Sequence, residues 1–197
     1  MKIPIFPLNG AILFPDTNLP LNIFEVRYLE MVDFCLSNKR LLGMIQTNDE
    51  GDLYKIGCVG KIINFSETSD NRYLITLQGF SLFKIVNEIN SDYKFRLVNG
   101  KLLENDDKFN VFKNEDKALL IKKYNDYIKI KQINLDIKDF ENISIDQILK
   151  FIPMISPFSN LEKQMLVETI SLKNFYSKLL SILDLEIHNN NIQKSIN

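Results

Sequence analysis

The hydrophobic and polar positions of this chain follow two different periods, and the change falls near the middle of the sequence. In the first half, Tyr73, Ile75 and Leu77 recur at every second position, and the stretch from Tyr93 to Leu97 repeats the pattern. A period of two predicts β-strands that bury one face. All seven glycines lie in this half, where turns and bulges need them. The first half is therefore predicted to be rich in β-structure.

One helix is predicted within this β-rich half. Its apolar positions follow helical spacing, at Phe24, Tyr28, Met31, Val32 and Cys35. We expect the helix to begin near Val26 and to turn its stripe from Tyr28 to Cys35 into the core. Because proline lacks a main-chain N–H, four prolines predict short or edge strands, namely Pro4, Pro7, Pro15 and Pro20. Short strands with one inserted helix favour an antiparallel, partly closed β-barrel.

The second half is predicted to be helical. From about Glu115, apolar residues recur on one helical face, at Ala118, Ile121, Tyr124 and Ile128. The last helix has a wide apolar stripe from Leu172 to Leu183. The expected domains are a β-rich unit at residues 1–103, a helical unit at residues 104–188, and a frayed polar tail at residues 189–197.

Local signals predict where the helices of the second half begin and end. Two capping boxes are expected, Ser144 with Gln147 and Ser159 with Glu162. In each box, side chains satisfy main-chain N–H groups that the first helical turn leaves unpaired. Pro153 and Pro157 are expected to end the helix that lies between the two boxes.

A series of short motifs runs through the chain in a specific order. The first 29 residues contain Phe6-Pro7-Leu8, Leu13-Phe14-Pro15, Leu19-Pro20-Leu21, Ile23-Phe24-Glu25 and Arg27-Tyr28-Leu29. Later segments are Ile56 to Ile62 with Gly57 and Gly60, Tyr73 to Gly79, Pro157-Phe158-Ser159, and Glu162-Lys163-Gln164. In this order the motifs resemble the LON domain, the N-terminal substrate-binding domain of the ATP-dependent protease Lon, which also occurs as a free-standing bacterial protein.

The resemblance implies an α+β fold. The expected architecture is an N-terminal PUA-like antiparallel β pseudo-barrel with one inserted helix, followed by a C-terminal helical bundle packed on it. It also implies recurrent signature residues, namely Phe24, Glu25, Arg27, Tyr28, Gly57, Gly60 and Gly79. Glu25 and Arg27 either fix the entry of the helix by hydrogen bonds or contact a ligand. Asp16 stands where the family usually has glycine, which puts the local turn in question.

Composition and charge narrow the classes of function. The net charge is −1 with neutral histidine, so nucleic acid is not expected to be the main partner. No run approaches the roughly 18 apolar residues of a membrane span, and no signal peptide opens the chain. Cys35 and Cys58 lie in apolar contexts, which predicts buried free thiols. These features together lead us to expect a cytoplasmic protein.

The sequence offers little material for catalysis. His188 is the only histidine, and it lies beside the polar tail, where a general base could not be held in place. One histidine and two separated cysteines give no zinc site of ordinary spacing. The chain also lacks the phosphate-binding motif of an ATPase. No enzymatic activity, no metal and no cofactor are therefore expected.

Two apolar segments are candidates for binding another polypeptide. The stretch from Phe151 to Phe158 is either a buried connection between helices or one wall of an apolar groove, with Met154, Ile155 and Phe158 as contacts. The proline-rich stretch with Phe14 and Leu19 offers strand edges that could pair with an extended peptide.

The resemblance implies a non-catalytic module that binds unfolded or extended polypeptide segments in protein quality control. A Lon-type ATPase protease is an expected partner. The alternative is RNA binding through the PUA-like barrel, which the balanced charge and the lack of a basic, aromatic stripe disfavour.

Overall fold

The computed structural model describes residues 1–104 and 112–196, and the side chains up to residue 189. The strands are β1 (Lys2–Pro7), β2 (Asn18–Ile23), β3 (Leu41–Ile45), β4 (Ile56–Glu67), β5 (Tyr73–Ile89) and β6 (Arg96–Leu102). The helices are α1 (Val26–Leu36), α2 (Asn114–Ile130), α3 (Ile145–Ile155), α4 (Asn160–Val167) and α5 (Leu172–Ile196), with a short 3-10 helix at Lys138–Asn142.

The six strands form one mixed sheet in the order β2-β5-β4-β3-β1-β6. Because β6 also pairs with β5, five of the strands close into a barrel-like ring, and β2 lies outside that ring. The ring is uneven, since the pairing of β4 with β5 shifts register twice and that of β5 with β6 shifts once. The expected barrel is thus present in an irregular form.

The expectation of a wholly antiparallel barrel is wrong for one pair of strands. β1 and β3 run parallel, with Ile5 opposite Gly43 and Pro7 opposite Ile45. Parallel neighbours need a crossover of about a dozen residues or more. The segment with β2 and α1 supplies that crossover between β1 and β3.

The chain divides into two compact units. The first contains Met1–Glu104 and Pro153–Glu168, and the second contains Asn105–Ile152 and Thr169–Asn197. The first unit therefore includes α4 in addition to the sheet, which differs from the single boundary expected between residues 103 and 104.

Helix α1 confirms the stripe expected from the sequence, with one exception. Tyr28, Met31, Val32 and Cys35 are all buried in an apolar cluster that also contains residues of all six strands. Phe24 is 66% exposed. The helix begins only at Val26, so Phe24 precedes it and does not share its buried face.

In the second unit, Lys123 of α2 forms an ion pair with Asp184 of α5, and Lys131, just after α2, forms one with Glu186 of α5. The buried face of α2 consists of Leu120, Tyr124, Tyr127 and Ile128. Ala118 is exposed, so the predicted stripe was partly wrong. The buried positions still follow i, i+4 and i+7 spacing, but they begin two residues later.

Both capping boxes are confirmed, whereas the role expected of Pro153 is wrong. The hydroxyl of Ser159 accepts from Glu162 N at 3.2 Å, and Ser144 pairs in the same way with Gln147. Pro153 lies inside α3, which ends two residues later at Ile155. The tail expected at residues 189–197 is helical to Ile196, and most of its side chains lie outside the described residues, so its fraying stays a prediction.

Candidate functional site

The predicted peptide contacts fall into two groups in the structure. Phe14 and Phe158 are only 3% and 6% exposed, so neither is accessible to a polypeptide on the surface. Met154 is half-buried against the apolar cluster around α1, and Ile155 is exposed. The stretch from Phe151 to Phe158 therefore does not form the continuous apolar wall that was one of its two expected roles. Of the five candidates, Leu19 is the one on a strand whose outer edge pairs with none of the strands in the described part of the chain.

A chain of buried polar groups explains the Glu162-Lys163-Gln164 motif. Lys163 Nζ donates to the carbonyl of Gly10 at 2.7 Å, and Gly10 N donates to Gln46 Oε1 at 3.2 Å. Gln46 Nε2 donates to Gln164 Oε1 at 3.1 Å, and Gln164 Nε2 donates to the carbonyl of Ile56 at 3.0 Å. These bonds fasten α4 to the loop after β1, to Gln46 just after β3, and to the start of β4.

Burial lowers the pKa of Lys163 because desolvation disfavours its charged form. The ammonium donates to a carbonyl, which satisfies one of its hydrogens without a carboxylate partner. Sequence reasoning did not assign a role to this lysine, because charged residues are normally expected on the surface. The motif therefore acts in the fold of the first unit, and we assign no ligand to it.

At the start of α1, Glu25 contacts the helix through its main chain and contacts Arg27 through its carboxylate. The main-chain carbonyl of Glu25 accepts from Tyr28 N at 2.8 Å, while its carboxylate pairs with Arg27 at 2.7 Å. The Arg27 guanidinium lies 4.6 Å from the centre of the Tyr28 ring, a cation–π geometry. Tyr28 in turn packs edge-on against Phe6 at 4.4 Å. Burial is the main reason why the pKa of Tyr28 is raised. Arg27 thus lies over the buried Tyr28, and the alternative role of Glu25 and Arg27 as ligand contacts stays a prediction.

The three signature glycines mark places where main chain approaches main chain or core. A Cβ at Gly79 would lie 1.9 Å from the carbonyl oxygen of Phe14, and a Cβ at Gly57 would lie 2.2 Å from that of Met44. A Cβ at Gly60 would meet the side chains of Leu77 and Leu13. Glycine is needed here for space.

The turn at Asp16, which the sequence put in question, has a backbone conformation typical of glycine. Asp16 has φ of +64°, the left-handed region that glycine adopts at little cost. Aspartate tolerates this region better than most residues do. The turn is therefore formed by Asp16 without glycine.

One surface of the sheet combines a nearly uncharged face with an edge that pairs with none of the described strands. Among the described residues, β5 is the only strand that pairs with β2. Outward positions of β2, β5 and β4 form three rows, Asn22-Leu74-Ser66, Pro20-Thr76-Asn64 and Asn18-Gln78-Lys61. One of these nine side chains is charged. A groove of about 500 Å³ opens here, and its lining includes Pro20, Asn22, Asn64, Leu74 and Thr76.

The groups that could react chemically are not gathered at this surface. Burial raises the pKa of Cys35 to about 12, and Cys58 is also buried. His188 is exposed near the end of α5. Within residues 1–104 and 112–196, no three His, Cys, Asp or Glu side chains are grouped to hold a metal ion. None of the helices described has the length and apolar character that crossing a bilayer requires.

The fold matches that of solved Lon N-terminal domains. The structure of a Lon N-terminal domain protein from Xanthomonas campestris superimposes with a TM-score of 0.68 at 19% identity, covering 92% of this chain and 98% of that one. The N-terminal domain of Mycobacterium avium complex Lon protease gives a TM-score of 0.69 at 13% identity, covering 95% and 98%.

The family model of the ATP-dependent protease La (LON) substrate-binding domain matches residues 2–184. The chain belongs to this family. It is 26% identical to the Lon protease of Desulfosudis oleivorans over 87% of this chain, and 24% identical to that of Flavobacterium johnsoniae over 100%. The chain spans 22% and 25% of the lengths of these two proteases. None of these relatives is named as an RNA-binding protein.

Proposed function

We propose that this chain binds unfolded or extended polypeptide segments and performs no catalysis itself. The observation that carries the proposal is the match of residues 2–184 to the substrate-binding domain of the Lon family. The proposed role is the delivery of bound segments to a Lon-type ATPase protease, as part of cytoplasmic protein quality control.

The surface of the first unit supports the proposal. The outer edge of β2, which no strand within residues 1–104 and 112–196 pairs with, offers main-chain donors and acceptors that can bond to any polypeptide, whatever its sequence. Apolar side chains near the same end of the sheet are exposed, including Phe24, Phe65 and Leu74. Exposed apolar groups favour unfolded over folded partners, since folded proteins bury most of their own.

Binding is tested by fluorescence anisotropy with reduced, carboxymethylated and labelled α-lactalbumin, which cannot fold. We expect a dissociation constant in the micromolar range or weaker, about −8 kcal/mol or less favourable. The native, disulfide-bonded form of the same protein is the matched control and should compete poorly. Equal affinity for the native and the unfolded form, or no binding of either, would refute the proposal.

The absence of catalysis is tested on the same preparation. The chain carries no phosphate-binding loop, and its thiols are buried, so we expect neither casein degradation nor ATP turnover. Activity that persists at constant specific activity through successive purification steps would contradict this part of the proposal.

A further inference from the structure

The ladder between β2 and β5 determines which main-chain groups of β2 are already used. Gly79 N donates to the carbonyl of Thr17 at 2.8 Å, just before the pair of Asn18 with Gln78. In an antiparallel pair, hydrogen-bonded and non-bonded positions alternate. Leu19, Leu21 and Ile23 therefore bond to β5, while the groups of the residues between them point away.

The free edge consists of the main-chain groups of Asn18, Pro20 and Asn22. All three residues are exposed, and within the described chain their main-chain groups make no hydrogen bond outside the sheet. The edge offers three carbonyl acceptors but only two N–H donors, because Pro20 has none. Proline is compatible with this strand for the same reason, since its nitrogen faces away from β5.

We propose that the edge of β2 from Asn18 to Asn22 binds an extended polypeptide segment as an added strand. The inference rests on the proposed function and gives it a location. Five residues of a strand span about 16 Å, so about five residues of the segment would pair with the edge. The acceptors and donors of the segment's main chain complement those of the edge, and Pro20 weakens the pairing at its centre.

The side chains around the edge define the chemistry of the segment. On one face of the added strand, alternate residues would lie beside the half-buried Leu19 and Leu21. On the other face they would lie beside Pro20, Asn22 and the nearly uncharged outer rows of the sheet. The segment that fits alternates apolar with uncharged polar residues. This is the sequence pattern of a segment that forms a half-buried β-strand when its own protein is folded.

A second copy of this chain fits the edge less well. Antiparallel pairing of two β2 strands centred on Pro20 would place two residues without donors opposite each other. Proline and short length are devices by which edge strands avoid such self-pairing. Six residues and one central proline give β2 both features.

Two substitutions change the number of donors at the edge in opposite directions. Pro20→Ala adds an N–H that faces away from β5, and Asn22→Pro removes one from a position that does not bond to β5. Asn22→Ala is the matched control, since it deletes the side chain and keeps the N–H. Each variant is first compared with the parent by thermal unfolding.

The probe is a short labelled peptide in which valine and threonine alternate, followed by anisotropy. We expect Pro20→Ala to tighten binding about 2- to 10-fold, Asn22→Pro to weaken it by a similar factor, and Asn22→Ala to change it less than about 2-fold. A twin peptide with aspartate in place of threonine should bind more weakly to all of them. If Asn22→Pro fails to fold, Pro20→Ala still gives the test by its gain in affinity.

Amide hydrogen exchange, measured by NMR, reports on the main-chain hydrogen bonds of the edge and not on side-chain contacts. In the free protein the Asn22 amide should exchange quickly and the Leu21 amide slowly, since only the Leu21 N–H is hydrogen-bonded to β5. Saturating the protein with the valine–threonine peptide should slow exchange at Asn22 and leave Leu21 unchanged.

The outcomes separate this inference from the proposed function. If carboxymethylated α-lactalbumin binds equally well to the parent, to Pro20→Ala and to Asn22→Pro, the edge of β2 is not the binding site. The proposal that the chain binds polypeptides would then still stand. If neither carboxymethylated α-lactalbumin nor the valine–threonine peptide binds, both the inference about the edge and the proposed function are wrong. Concentration-dependent dimerisation of the parent chain that Asn22→Pro abolishes would assign the edge to a second copy and would also overturn the inference.

Discussion

Replacing Gly79 by alanine should expose how strongly the barrel depends on one close approach of main chain. The new Cβ would lie 1.9 Å from the carbonyl oxygen of Phe14 and 2.7 Å from its carbonyl carbon. The first distance is about 1.5 Å or more inside ordinary van der Waals contact. Both atoms are main chain, so a rotamer change cannot relieve the clash. Either β5 or the loop after β1 must move.

The loss of stability follows from the hydrogen bonds and the buried side chain that this loop contributes. Asp16 N donates to the carbonyl of Gly79 at 3.0 Å, and Gly79 N donates to the carbonyl of Thr17 at 2.8 Å. Losing two such bonds costs about 1–3 kcal/mol, and loosening the buried Phe14 costs about 1 kcal/mol more. Alanine also lowers the conformational entropy of the unfolded chain, which offsets about 0.4–1 kcal/mol of this loss. The free energy of unfolding should therefore fall by about 1–3.6 kcal/mol.

Urea denaturation followed by far-UV circular dichroism measures this loss. Gly51→Ala is the matched control in the same unit, because no atom lies within 4 Å of its added Cβ. Its φ of +88° makes alanine strained there, so we expect a loss of about 1 kcal/mol. If Gly79→Ala costs no more than Gly51→Ala, the close approach at Phe14 is not what requires glycine, and the reasoning is wrong.

Three further perturbations test the core of the first unit. Tyr28→Ala should lower the free energy of unfolding by about 3–5 kcal/mol, and a loss well under about 1 kcal/mol in urea would contradict the burial of its ring. Phe158→Ser should destabilise by several kcal/mol while the folded protein still binds carboxymethylated α-lactalbumin; a binding defect at unchanged stability would restore Phe158 to a groove. The pKa of Cys35 is raised to about 12, so an unfolded thiol ionises first and stability should fall as pH rises from about 9 towards 12. Cys35→Ala should flatten that fall, and an unchanged pH profile would show that other groups cause it.

The sequence by itself determined the features that depend on neighbours along the chain. Helical spacing identified the buried face of α1, including Tyr28 and Cys35, and the capping boxes identified where α3 and α4 begin. These signals are readable because a helix brings residues three and four apart onto one face, whatever surrounds it. The order of the short motifs likewise indicated the LON family, to which the chain belongs.

Other features were decided only by contacts between residues far apart in sequence. Strand pairing decided that β1 runs parallel to β3 and that β2 lies at the edge, and contacts of α4 with the sheet placed that helix in the first unit. The buried ammonium of Lys163 donates to the carbonyl of Gly10, which is more than one hundred residues away in the chain. The local sequence pattern does not indicate which distant residues will be in contact. Sequence could therefore propose strand edges for binding, but only the tertiary structure distinguished the exposed edge of β2 from the buried Phe14 and Phe158, because accessibility is a property of the packed molecule.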